Sequence, residues 1–177
     1  MNIFILSESP VKAARMHCNR HVVKMIVESA QMLSTAHRML DGVMERRPSK
    51  SGSMIQYFKL DDSRENTLYK ACHFNHPSTV WTRQSKANYD WHYYLFAELC
   101  EEYTHRYGKT HMTESKLMNT LARSPDSIPD GELTAFPQCM PDDCKRSDPI
   151  EAYRAYYIQE KKYFAKWTKR EIPAWFL

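Results

Sequence analysis

The sequence predicts a mainly α protein: one compact helical domain with a short N-terminal strand or extended arm and room for a two-stranded ribbon. Three observations carry that expectation. Apolar residues recur at helical spacing through the long stretches after Pro10, Pro77 and Pro149. Each of those prolines follows or precedes a capping residue, as in Ser9-Pro10, Pro77-Ser78 and Asp148-Pro149. Strand-like patterning is confined to a short apolar run near the N-terminus and to weak alternation from Met54 to Leu60.

The elements follow in order. Asn2-Ile3-Phe4-Ile5-Leu6 is a short apolar run suited to a buried strand or to an arm tucked into the core. Ser9-Pro10 opens a helix, or a helix pair, that reaches about Leu40, and Asp41-Gly42 closes it. The basic segment Arg46-Arg47-Pro48-Ser49-Lys50 marks residues 44–53 as a mobile loop, and Met54 to Leu60 would form a second short strand beside the first. Asp61-Asp62-Ser63 caps a helix running to about His73.

Pro77 keeps His76 out of the helix that follows, so Asn75 and His76 sit on a turn at its mouth, and the helix runs until Gly108. Thr113 caps a short helix ending near Ala122. Residues 123–148 carry Pro125, Pro129, Pro137 and Pro141 and read as a Pro-rich irregular wrap, before the last helix starts at Asp148-Pro149.

Length and composition bound the class. At 177 residues the chain, taken as a single domain over 1–177, can bury about two thirds of its unfolded surface without disulfide or metal support. Five cysteines, an odd number, and the lack of a secretory pattern at the start lead us to expect reduced thiols in a soluble, cytoplasmic protein with no membrane span. The formal charge of +4 is mild, but bases cluster at Arg46–Lys50 and from Lys161 to Arg170. Four Trp and eleven Tyr, many beside Arg or Lys, suit base stacking as well as an aromatic core with a basic rim.

Function concentrates on one helical strip. At about 100° per residue, Arg20, Gln31, Lys24, His17, Thr35, Glu28 and His21 fall in a narrow polar band, while Val22, Val23, Met25, Ile26, Val27, Ala30, Met32 and Leu33 surround the rest. A helix so apolar must be largely buried, so its polar band lines a cleft or reaches solvent through a slit. A second polar group, Ser85 and Asn88 framed by Trp81, Tyr89 and Trp91, is either a base or phosphate pocket or is satisfied locally.

Several chemistries are excluded. No Gly-x-Gly-x-x-Gly, Gly-x-x-x-x-Gly-Lys or Gly-x-Ser-x-Gly motif occurs, which leaves no nucleotide-cradling loop and no serine-hydrolase elbow. His17 and His21 stand one helical turn apart, but His-Glu-x-x-His is absent and Cys18 points away from His17, so no metal and no cofactor are assigned.

The runs His17-Cys-Asn-Arg-His-Val-Val-Lys-Met, Gln31-Met-Leu-Ser-Thr-Ala-His, Asn75-His-Pro-Ser-Thr-Val-Trp-Thr-Arg-Gln-Ser, Glu102-Tyr-Thr-His-Arg-Tyr-Gly-Lys-Thr-His and Pro173-Ala-Trp-Phe resemble a family of small bacteriophage proteins. In the order of its parts the chain is also similar to pyrimidine-dimer DNA glycosylases of the endonuclease V type. That second resemblance implies a Schiff-base mechanism in which the N-terminal α-amine, here that of Met1, attacks the sugar C1′ and a carboxylate on the first long helix, here Glu28, handles protons. It also implies Lys24 and His21 as positive charge near Glu28, and Arg20, His76, Arg83, Asn88, Arg154, Lys162 and Lys166 as contacts to duplex DNA. The family exposes its nucleophile by removing the initiator Met before a small residue, whereas residue 2 here is Asn. Two alternatives stand beside this: a phage enzyme acting on a nucleotide or hypermodified base without strand cleavage, and a noncatalytic nucleic-acid-binding accessory protein.

Overall fold

The computed structural model describes residues 1–177 and contains seven α-helices and one two-stranded antiparallel sheet. The helices are α1 (Pro10–Met16), α2 (Asn19–Asp41), α3 (Arg64–Thr67), α4 (Pro77–Thr82), α5 (Lys86–Tyr107), α6 (Met112–Leu121) and α7 (Pro149–Glu160). The strands are β1 (Val43–Pro48) and β2 (Met54–Lys59). No helix is long and apolar enough to cross a membrane.

Two long helices, α2 and α5, form the centre, with α1 on α5 and α4 and α6 on α2. Val22, Met25, Ile26, Ala30, Leu33 and Ala36 of α2 are fully buried and face a core that includes Leu95, Phe96 and Leu99 of α5. Each large aliphatic side chain among them contributes about 1.5–3 kcal/mol on leaving water. The helix pair expected after Ser9 is α1 and α2. Ser9 accepts from the Lys12 N–H, and α2 ends at Gly42, where a Cβ would run into the Arg38 carbonyl oxygen and approach that of Lys59 to 3.0 Å. Gly108 ends α5 in a left-handed conformation at φ 65°.

The sheet differs from expectation. Residues 2–6 form no strand; Asn2 Oδ1 accepts from the N–H groups of Ile3 and Phe4, so the segment is an arm whose amides are satisfied by a side chain. The partner of β2 is instead β1, in the register Val43↔Lys59 to Pro48↔Met54, so half of the expected basic loop 44–53 is strand and the turn spans Ser49–Ser53. Local pairing across a short turn closes a smaller loop than pairing with the distant N-terminus.

Three helices are shorter than their periodicity implies. Expected to reach His73, α3 stops at Thr67, because the buried Arg38 guanidinium collects the carbonyl oxygens of Glu65, Leu68, Tyr69 and Phe58 together with the Glu65 carboxylate. The stretch after Pro77 is split into α4 and α5 because Ser85 turns extended and captures the Asn88 N–H as a new cap. The last helix stops at Glu160, and the chain beyond it crosses to α2, where the Asn19 N–H donates to the Lys166 carbonyl and the Trp167 indole to that of Met16. Residues 123–148 are irregular except for one short turn at Asp142–Cys144.

Candidate functional site

The strip on α2 opens into a cleft of about 370 Å³, lined by Arg20, His21, Lys24 and Glu28 from α2, Met1, Asn2 and Phe4 from the arm, Tyr156 of α7, Lys161 and Phe164 from the tail, and Cys139. Glu28 is the cleft's acid. Its Oε2 accepts the backbone N–H of Asn2 at 2.9 Å, and its Oε1 lies 3.2 Å from Lys24 Nζ. Asn2 N is three covalent bonds from the Met1 amine, which therefore stands within roughly 6.5 Å of that oxygen.

The arm is held there by its own residues. Asn2 Nδ2 donates to the Cys139 carbonyl at 2.7 Å, Met1 Sδ receives the Thr79 hydroxyl, and Arg154 of α7 donates twice to the Leu6 carbonyl. Phe4 is turned inward at φ 56°, a left-handed conformation that a bulky residue adopts only when its surroundings enforce it. Its ring stacks on His21 at 4.2 Å and lies nearly parallel to Tyr156, 11° apart in plane and 5.8 Å in centroid distance. The floor of the cleft is thus aromatic.

The rim is cationic. Arg20 lies over the Phe164 ring at 5.0 Å and Lys161 over Tyr156 at 4.4 Å, and neither is ion-paired with a carboxylate. His21 does not add to this charge, contrary to expectation. Burial holds it far below its ordinary value, with His17, Lys24 and Lys161 pushing the same way, so it is a neutral imidazole whose Nδ1 shares a hydrogen bond with the Tyr157 hydroxyl. His17 is not on the strip at all. It caps the end of α1 in an extended conformation, is fully buried, bonds the Ala13 carbonyl and is pushed down to about 4 by burial.

The expected nucleic-acid contacts are scattered. Arg20 is on the cleft, and His76 lies beside it. His76 accepts the Ser78 N–H as cap of α4, and burial lowers its basicity, with the Met1 amine adding to the effect. Lys162 and Lys166 are exposed on the tail. Asn88 is fully buried and fastens the wrap to α5, donating to the Trp81 carbonyl and Thr134 hydroxyl and accepting the Thr134 N–H, so it is unavailable to a ligand. Arg154 is committed to Leu6 and Glu151, and half-buried Arg83 caps the end of α4 outside the cleft.

Phe4, Cys139, Tyr156, Lys161 and Phe164 were not signalled as site residues by the sequence; Phe4 reads as core, and the rest gain meaning only from packing. In comparisons with known proteins, no family model, no curated protein and no solved structure matches this chain.

Proposed function

We propose that this cleft is the reactive centre of a DNA glycosylase/AP lyase-like enzyme acting on damaged or modified pyrimidines in DNA. One observation carries the reading: the 2.9 Å bond from Asn2 N–H to Glu28, which brings the chain's first amine and the cleft's carboxylate together in an aromatic, cationic pocket. An α-amine is the least basic of a chain's primary amines and serves as a nucleophile in its neutral form. Met1 is packed into the fold through Thr79, which favours its own amine in that role rather than that of residue 2.

In this reading the Met1 nitrogen forms a bond to C1′ while the C1′–base bond breaks, and the departing base takes up the proton the amine loses. The C1′–O4′ bond then breaks, with water protonating O4′, to give an iminium. Glu28 then accepts the C2′ proton as the C3′–O bond breaks and the phosphate leaves, with Lys24 beside Oε1 balancing the carboxylate's charge. Tyr156 and Phe164, both partly exposed, offer aromatic contact to an extruded base above the buried Phe4, and Arg20 and Lys161 offer cations to flanking phosphates.

Incubation with ultraviolet-irradiated, abasic and undamaged duplex DNA in the presence of borohydride tests it. A covalent adduct on damaged or abasic DNA is expected, with its progress to strand scission lost in Glu28→Gln. Salt-sensitive DNA binding with no adduct, indifferent to Glu28→Gln, would instead identify an accessory binding protein.

A further inference from the structure

A second concave surface lies on the other side of the tail. It has a volume of about 530 Å³ and is formed by α1 and by residues 169–174. Lys12 and Arg15, one turn apart on α1, face Lys169 and Arg170 across it, and Glu171 is its acid. Lys12, Arg15 and Lys169 make no salt bridge, although ten of the chain's other basic residues do.

Arg170 is paired, but with a carboxylate already in use. Buried Glu102 accepts from Arg106 at 2.7 Å and from Arg170 at 2.8 Å, so one negative charge is shared by two guanidiniums and the cluster carries an excess positive charge into the groove. The groove is also built rather than frayed. Lys169 holds a left-handed φ of 55°, pinned by its ammonium on the His105 carbonyl and by the His105 imidazole on its own carbonyl. Asn19 fastens the irregular segment between the two concavities, bonding to Lys166 and Thr168. Between the groove's Lys169 and the cleft's Lys161 the tail exposes two further cations, Lys162 and Lys166.

We infer that this groove is a nucleic-acid backbone site, in which Lys12, Arg15, Lys169 and Arg170 hold phosphates of a DNA segment whose target nucleotide occupies the cleft. The inference rests on the proposed reading of the cleft for the identity of the polymer. A row of cations leading into a stacking pocket matches a chain that alternates phosphates with bases, whereas an acidic peptide or lipid surface has no use for the aromatic end. Protein contact with the DNA then extends on one side of the target nucleotide further than on the other.

The test compares wild type, K12A/R15A/K169A and the control K59A/K109A/K116A, whose residues lie outside both concavities, in fluorescence anisotropy with an abasic and an undamaged duplex over a salt series. The groove variant is expected to bind at least about tenfold more weakly, with a log–log salt slope smaller by roughly 2–3 for three lost phosphate contacts. The control should move less than about twofold. Trimming the duplex on one side of the abasic position should abolish the difference between groove variant and wild type, and trimming the other side should keep it.

Equal affinity and slope for groove variant and wild type overturn the inference even if the borohydride adduct forms. So does groove-dependent binding of polyglutamate or of phosphatidylserine vesicles without binding of DNA. Groove-dependent DNA binding with no adduct on any substrate sinks the lyase reading of the cleft and leaves the groove standing.

Discussion

The main-chain N–H of Asn2 donates to Glu28 Oε2 across 26 positions of sequence, and this one bond sets the distance between the chain's α-amine and the carboxylate of the cleft. Gln at position 28 keeps an oxygen for that bond but loses the charge that faces Lys24. The partner pair is mostly exposed on the Lys24 side, so stability should change by less than about 1 kcal/mol. Strand scission of abasic DNA should fall by roughly 10²-fold or more, with DNA affinity preserved. Thermal melts, anisotropy and single-turnover cleavage check the three parts separately.

Blocking the amine probes the other end of the same pair. N-terminal acetylation, which turns the α-amine into an amide, should remove the borohydride adduct while leaving duplex binding within about twofold. An adduct that survives with the same yield would move the nucleophile to Lys24 or Lys161 and overturn the role of Met1.

Acid should unfold this protein early. Burial pushes His17 and His37 down to about 4, His92 to about 3 and His21 lower still. These folded-state values lie below the unfolded value near 6.5, so between about pH 6.5 and 4 the unfolded chain binds protons that the folded chain does not. The stability contribution is complete above pH 6.5 and is lost as pH falls, by at most about 1.4 kcal/mol per pH unit for each imidazole. The urea midpoint should be flat above pH 7 and drop steeply below 6. A His92→Gln variant, which keeps a polar partner for the Thr82 hydroxyl, should flatten that slope.

Glu102 holds the tail to the core through two guanidiniums. Glu102→Ala leaves Arg106 buried without an anion and should cost about 3–5 kcal/mol. Arg170→Ala removes the more exposed partner and should cost roughly 1 kcal/mol or less, while exposing residues 161–177 to proteolysis. Limited trypsinolysis distinguishes the two: the first variant is degraded throughout, the second is trimmed at its C-terminus.

Arg154 and Asn88 should behave as structural residues. Arg154→Ala releases the arm at Leu6 and Asn88→Ala removes three hydrogen bonds, leaving the Thr134 N–H and hydroxyl without their partner, so each should lower stability by about 1–3 kcal/mol. Neither should alter the salt slope of DNA binding, which a phosphate contact would reduce by about 0.9. Lys162→Ala and Lys166→Ala should show the reverse pattern.

Local signals in the sequence were sufficient for the helices that depend on local chemistry. Ser9 and Asp148 cap, Gly42 and Gly108 terminate, and the period of α2 separates a buried face from the strip of Arg20, His21, Lys24 and Glu28, because capping and amphipathicity act within a few residues. What they left open required distant partners. Arg38 unwinds the end of α3, Ser85 and the wrap split α4 from α5, and the ribbon pairs β1 with β2 rather than with the arm, since these outcomes turn on which carbonyls and amides packing brings together. The site divides in the same way. The strip that fixes Glu28 and Lys24 follows from helical periodicity, whereas the amine beside it, the inward Phe4, the neutral state of His21 and the groove joining Arg15 to Arg170 arise only when the two ends of the chain fold onto α1 and α2. Sequence spacing governs what a helix presents on each face; desolvation and long-range closure decide what meets it there.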